Sequence, residues 1–540
     1  MNRQFVNRIS EWTPEIVLSV YRNYHLGTFL CDVRAGLLVA VVAFPLFMTF
    51  AIASGVSPGV GITTAMAAGA LASLFGGARF QIVGPTGAFA MIVFDIIKDH
   101  GFEGMTMSLM MAGFMMILFG IAGIGNMIHY IPYPITAGFT AGIGLSIIMA
   151  QLGGFLGLPL GQIPPNFVDR LCYYLTHLNI MNFYSFGLAL FCLIFLGVMQ
   201  KFKPNMPRYF FVLIIGIIYS AMLSGVGLET IGSRFGNIGT QLPQLRAPDG
   251  LLSLKNLREL FPSAFAIAFL GSLESLLGAV ISDNLSGQKH RSNMELIGQG
   301  IANLGSAIVG GIPATCALGT TSLNVKAGAK TPMAGLFNVL FMLLFILCLR
   351  QFINVTPMAC LSAMLISTAW NMASFKKCKY ILLAPKSDSS VFLATIAITL
   401  LFNIVVAVEI GLILSAFLFV KRSVETTTAE TFSKVISGHG HNGKECECVR
   451  ICGHLFFGAA PILHNALKSL PRIHGVIYVD MQEVPFIDVT GAKVLKEFVA
   501  EVKGSGIEVI IGGLNRRTMK VLKKMDMSEE LTAHLLEERI

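Results

Sequence analysis

One carboxylate stands where a carboxylate is costly. Glu274 lies near the middle of the apolar run 264–281, AFAIAFLGSLESLLGAVI. An acid at membrane depth normally faces a cavity, so the type and place of this residue point to a substrate or ion site. Downstream, the run 312–325 is rich in Gly, Pro, Thr and Ser, too short and too polar to cross a bilayer as an ordinary helix. Broken segments of this kind aim free backbone N–H groups at a ligand. A matching stretch lies earlier, QIVGPTGAFAMIV at 81–93, against GIPATCALGTTSLNV at 311–325. Each opens with a short extended piece, turns at Gly or Pro and continues as a half-helix. If the two N-termini meet at mid-membrane, their positive dipole ends converge on one anion-sized spot. The alternatives are that Gly and Pro here only permit tight helix packing, and that Glu274 is a structural acid bonded to broken backbone. A second constellation, His439, His441, Cys446, Cys448, Cys452 and His454, has ligand types that suit zinc. It lacks a paired CxxC motif, so it reads as polar linker plus a strand with cysteines on one face, and no metal is expected.

These residues need a frame, and composition supplies its class. The chain has 540 residues, 54% of them hydrophobic and only 13% charged, against about 25% charged in soluble domains. Most of it therefore belongs in lipid, and 55 glycines with 21 prolines suit interrupted, closely packed spans. The net charge of +9 does not imply nucleic acid, because the basic residues fall in short loops at span ends. Ten scattered cysteines read as reduced thiols packed as small hydrophobes. No nucleophile–base constellation or nucleotide-binding loop appears, which argues against an enzyme, and no cofactor is expected.

Residues 1–33 read as an amphipathic segment on the cytoplasmic membrane face. Apolar spans follow near 34–54, 60–76, 84–98, 105–125, 135–157, 183–200 and 209–226, then 262–281, 293–310, 314–326, 333–350, 357–373, 389–403 and 405–420. Several fall short of the roughly 20 residues a straight span needs. The basic loops lie on one side if both ends of a fourteen-span unit, 34–422, are cytoplasmic. Fourteen spans divide into two sets of seven, and an odd number gives the sets inverted topology. A polar linker, 423–447, precedes a strand–helix alternation over 448–540, which reads as a small α/β domain.

At these motifs the chain resembles the SulP family of anion transporters with a C-terminal STAS domain. The matching pieces are FPLFMTFAIASGVSP, GGARFQIVGPTGAFAMIV, AFLGSLESLLGAVISD, the run from HRSNMELIGQGIANLGS through GTTSLNVKAGAKTP, and PFIDVTGAKVL. The resemblance implies two inverted seven-span repeats arranged as a core and a gate, an anion site between the third and tenth half-helices, and a homodimer. Carried over residue by residue, Phe50, Thr86, Gly87, Ala88, Ala317, Leu318, Gly319, Thr320 and Thr321 line the substrate site, and Glu274 takes the ion-coupling position. Leu46 and Thr320 depart from the pattern, standing where many relatives have Gln and Arg. The LGT string is similar to that of bicarbonate-transporting members. Gly278 and Leu318 stand where those sodium-coupled proteins tend to have hydroxyls, which favours a proton as the co-transported ion over sodium. In the STAS turn the position that carries a phosphorylated Ser in related regulatory domains is Val489, which leaves Asp488, Thr490 and Gly491 as a structural cap with a docking role.

The sequence thus predicts a multi-pass inner-membrane secondary transporter of a small anion (sulfate, bicarbonate or a dicarboxylate), with its N-terminus and STAS domain in the cytoplasm. The alternative is a membrane-anchored sensor or scaffold that recruits a cytosolic protein partner through the STAS domain.

Overall fold

The computed structural model describes residues 12–125, 133–158, 167–203, 206–223, 228–236, 254–373, 375–383, 386–401, 404–436, 444–468, 476–525 and 527. They form two units, Met1–Leu412 and Ile413–Ile540, the division falling inside the last apolar helix.

The helical unit opens with α1 (Glu15–Asn23), whose buried Glu15 carboxylate is taken by Arg79 and Arg291. Burial lowers the pKa of both guanidinium groups from the ordinary arginine value, yet they remain cations. Then come α2 (Leu26–Ala53), α3 (Pro58–Phe75), β1 (Val83–Gly84), α4 (Gly87–Ile121), α5 (Tyr133–Leu156), α6 (Phe167–Thr176), α7 (Phe183–Phe202), α8 (Arg208–Met222) and α9 (Ile231–Phe235). The second half holds α10 (Leu254–Ser286), α11 (Ser292–Ile308), β2 (Thr315–Cys316), α12 (Leu318–Lys326), α13 (Met333–Asn354), α14 (Met358–Ala373), α15 (Phe375–Leu382), α16 (Lys386–Leu401) and α17 (Ile404–Glu425). The long α4 is two helices broken at Gly101, whose φ of 69° and ψ of −178° suit glycine alone. Counted as two, and with the short α1, α6, α9 and α15 set aside, it brings the described spans to fourteen. Each apolar stretch read from the sequence falls on one of them.

These spans form two inverted sets of seven. In each set a two-residue strand follows the second helix and precedes a half-helix, and the two strands pair antiparallel. The helices pack in two groups: α11 lies on α3 and α4, α10 on α4 and α13 on α2, while α14 lies on α5 and α7 and α16 on α5. The groups are a core and a gate. Outward faces are apolar, with Phe191, Ile194, Val198 and Phe202 exposed along α7, as a lipid-facing surface requires.

Breaking helices inside an apolar body leaves backbone groups to satisfy, and buried polar side chains do so. Glu295 of α11, only 2% exposed, accepts from the N–H groups of Gly77 (3.0 Å) and Ala78 (2.8 Å) and from the Ser275 hydroxyl (2.8 Å). One and two turns on, Gln299 donates to Glu295, and Asn303 both donates to the Ala314 carbonyl and accepts from its N–H, each at 2.9 Å. Asp32 caps the backbone at Lys330 and Thr331 in the same way.

The second unit carries a four-stranded sheet in the order β3 (Thr428–Ile436), β4 (Lys444–Cys452), β5 (Val476–Glu483), β6 (Glu508–Gly512). The first pair is antiparallel and the others are parallel. Helices α18 (Ala460–Lys468) and α19 (Val489–Gly504) connect the parallel strands, and α20 (Arg516–Lys524) closes the unit. Its core is built from Val449, Ile451, Ile477, Val479, Leu495 and Val499. The expected linker, 423–447, is corrected here, since Thr428–Ile436 within it is an edge strand paired to β4. Its polar, Thr-rich sequence resembles a linker because an antiparallel edge strand keeps one face in water.

Glu295→Ala strips a buried acceptor from four donors, the N–H groups of Gly77 and Ala78, the Ser275 hydroxyl and the Gln299 amide, at about 1–3 kcal/mol for each donor left unsatisfied. The expected outcome is a large fall in the thermal denaturation midpoint of the detergent-solubilised protein, with Glu295→Gln falling less.

Candidate functional site

The two broken segments meet. Val83 pairs with Cys316 and Gly84 with Thr315, a ladder too short to hold by itself. It is extended by Ala317 N–H donating to the Ile82 carbonyl (2.9 Å) and by Ile82 N–H donating to the Thr321 hydroxyl (3.0 Å). Thr315 donates to the Gly271 carbonyl (3.0 Å), and Gln81 donates to the Ser275 carbonyl (2.6 Å), tying both strands to α10 on either side of Glu274. Asn324 reaches back to the Phe80 carbonyl at 2.9 Å.

Out of this crossing grow α4 and α12, with Thr86 and Ala317 at their N-cap positions, and neither first turn is capped by a side chain. An α-helix leaves its first N–H groups without intrahelical partners, so two sets of donors and two dipole ends face one place. That place is a cavity of about 740 Å³, lined by Phe50, Thr86, Gly87, Ala88, Glu274 and the run Cys316, Ala317, Leu318, Gly319 and Thr320. Leu46 also lines it. Instead of capping its own helix, the Thr86 hydroxyl lies 3.2 Å from Oε2 of Glu274 and donates to it. Thr320 donates to the Ala317 carbonyl (3.0 Å). Of the substrate-site residues named from the sequence, Thr321 alone is absent from the lining. It is buried, and its hydroxyl serves Ile82 and Cys316.

Among the described residues, the only formally charged side chains lining the cavity are Glu274 and Arg208. Such a site can bind a small anion through backbone N–H groups and hydroxyls, with a carboxyl close by that can hold a proton. Gly278 packs against β2: a Cβ there would clash with the Cys316 sulfur and come within 2.9 Å of its Cβ, far inside contact distance, whereas one on Gly319 meets nothing within 4 Å. A hydroxyl-bearing side chain therefore does not fit at 278 without moving the strand.

Sequence reasoning passed over Glu295, Gln299 and Asn303, whose i, i+4, i+8 spacing puts one polar stripe on an apolar helix. It also left Arg208 among the loop charges.

In the second unit Asp488 caps α19, accepting from Gly491 N–H at 2.8 Å and from Phe457 N–H at 3.0 Å. Val489 and Thr490 are exposed, and Gly491 is buried. His439 and His441 lie outside the described residues. Among those described, no group of three or more His, Cys, Asp or Glu is placed to hold a metal ion.

Comparison with known proteins places this geometry. The sulfate permease family matches residues 29–395 and the STAS domain matches 442–538. YvdB of Bacillus subtilis, provisionally named a sulfate transporter, is 35% identical over 512 residues, covering 95% of this chain and 96% of the relative. The bicarbonate transporter BicA of Picosynechococcus is 26% identical over 534 residues, covering 94% and 93%. Among solved structures, SLC26A9 superposes with a TM-score of 0.84 at 17% identity, covering 98% of this chain and 91% of that one. The transmembrane domain of a cyanobacterial BicA superposes with a TM-score of 0.62 at 27% identity, covering 73% and 98%. The chain belongs to the sulfate permease family and is a multi-pass membrane anion transporter with a C-terminal STAS domain, not an enzyme.

Two outcomes follow from the packing. Gly278→Ala overpacks the β2 contact, at about 1–3 kcal/mol, and transport and thermal midpoint fall together, whereas Gly319→Ala leaves the midpoint in place and alters only the KM for the anion. Asp488→Ala removes a cap worth about 1 kcal/mol, and hydrogen exchange at the first amides of α19 in the full chain accelerates about fivefold.

Proposed function

We propose that this member of the sulfate permease family is a proton-coupled carrier of a small oxyanion, with Glu274 as the coupling carboxyl. The observation that carries the reading is the Thr86 hydroxyl. It joins Glu274 to the N-terminus of one half-helix inside the cavity where both uncapped N-termini converge. Anion and proton would then occupy neighbouring places. A bound anion offsets the dipole ends, and a proton on Glu274 removes the negative charge that would repel it.

The cavity is the substrate site in this reading, with Phe50, Thr86, Gly87, Ala88, Ala317, Leu318, Gly319 and Thr320 around the anion. Thr321 acts one step back by holding Ile82. The gate carries α5, α8 and α14, and motion of core against gate would open the site to either side in turn. An unpaired carboxylate is expensive where water is excluded. Among the described residues no cation pairs with Glu274, so its charge must be cancelled for the crossing. The crowding at Gly278 favours a proton over sodium for that role. Sulfate is suggested by the YvdB relative, bicarbonate by the BicA relatives and by Thr320 in the tenth half-helix, and a dicarboxylate by the acidic position. The basic loops suggest a bacterial inner membrane with the N-terminus and the STAS unit in the cytoplasm. A homodimer and a cytosolic partner at the Asp488, Thr490 and Gly491 turn complete the proposal.

The test is uptake of labelled sulfate, bicarbonate and fumarate into proteoliposomes, each with and without an inward proton gradient and with and without sodium. One anion accumulates only with the proton gradient, and Glu274→Gln reduces that accumulation to the level of empty liposomes. Sodium-driven accumulation would overturn the proton assignment. Uptake of none of the three by folded protein would favour a sensor or scaffold built on the STAS unit.

A further inference from the structure

The cavity has a second polar wall, on the gate side. It is made by Arg208 at the first position of α8, Gln200 near the end of α7, Thr136 and Thr140 on α5, and Thr368 and Asn371 on α14. Most of these groups hold one another. Gln200 donates to Asn371 at 2.9 Å, Asn371 donates to the Ser367 carbonyl at 2.9 Å, Thr140 donates to the Thr136 carbonyl at 2.6 Å, and the Tyr209 and Thr368 hydroxyls lie 3.3 Å apart. Arg208 is the exception. Its Nε is buried and has no hydrogen-bond partner, its guanidinium carbon sits 5.1 Å from the centroid of the Tyr209 ring, and among the described residues no carboxylate lies within ion-pair distance. A buried guanidinium donor without an acceptor is costly, and a cavity with low-dielectric walls focuses the field of a single cation along its axis.

We infer that Arg208 is a separate anion-binding station on the gate, which draws the substrate into the cavity and holds it before it reaches the half-helix N-termini. The ligand chemistry is that of a small oxyanion, whose paired oxygens match the planar donor fork of arginine. The station rests on the transport reading and adds a division of labour to it. The core site contributes backbone dipoles and carries no fixed positive side chain, because Thr320 and Ala317 occupy its rim. The gate supplies the cation that the core lacks. A guanidinium held on the gate stays behind when the core moves, so the anion can be released from it without dragging a fixed charge through the membrane.

The alternative is that Arg208 only anchors the end of α8 at the water boundary, its stem packed on Tyr209. The two roles separate in full-length protein reconstituted in proteoliposomes, using whichever of sulfate, bicarbonate and fumarate the wild type accumulates. For the station, Arg208→Gln raises KM by about tenfold, flattens the dependence of KM on ionic strength and leaves the maximal rate within about twofold. Arg208→Lys, which keeps the charge but not the fork, falls between the two. The inference is overturned if Arg208→Gln transports with unchanged KM, or if Lys is as defective as Gln and both lower the thermal midpoint. Wild-type protein that accumulates no anion overturns the transport reading, and this inference with it.

Discussion

The antiparallel contact between residues 83–84 and 315–316 is the constraint on which the rest of the helical unit depends. Four residues bring together two pieces of chain more than two hundred positions apart, and the direction of their pairing is the inverted repeat made local. An unpaired strand edge at membrane depth would be untenable. The pairing is tolerated because backbone groups around it find side-chain partners. Thr321 takes the N–H of Ile82, Asn324 takes the carbonyl of Phe80, Asn303 takes both polar groups of Ala314, and Glu295 takes Gly77 and Ala78. Once the crossing is fixed, the half-helices after it have no freedom in where they start, and their uncapped N-termini face the cavity.

From that follows a distribution of charge. The core offers partial positive charge from backbone and one carboxyl, Glu274, within reach of the Thr86 hydroxyl. The gate offers one full cation, Arg208. In the proposed cycle these opposite charges sit on bodies that move against each other, which suits a carrier better than a static anion trap. Tight binding by a fixed arginine on the moving core would favour capture at the expense of release.

Much of this was legible in the sequence, and the reasons differ by element. Fourteen apolar runs gave the spans because lipid demands length and hydrophobicity, both visible in composition. The broken third and tenth spans were visible through Gly and Pro, and Glu274 through its cost. The pairing of β1 with β2 was not visible, since two-residue strands leave no alternation to read. Rotation of a helix about its axis was also hidden. Thr321 reads as a neighbour of Thr320, yet one residue along a helix turns it to the strand side, and Arg208 reads as a loop charge until packing points it inward. The Glu295, Gln299 and Asn303 stripe could have been found by periodicity. The strand Thr428–Ile436 could not, because its polar sequence is what an edge strand and a linker share.

The central claim is that the two half-helix N-termini are the anion site. The most direct measurement is an experimental density map of the protein with its transported anion at saturating concentration, using a heavier isosteric oxyanion where one exists. The account predicts density between the first turns of α4 and α12, within hydrogen-bond reach of the N–H groups at Gly87 and Ala88 and at Leu318 and Gly319. Density confined to some other part of the cavity, in protein that transports that anion, would contradict it.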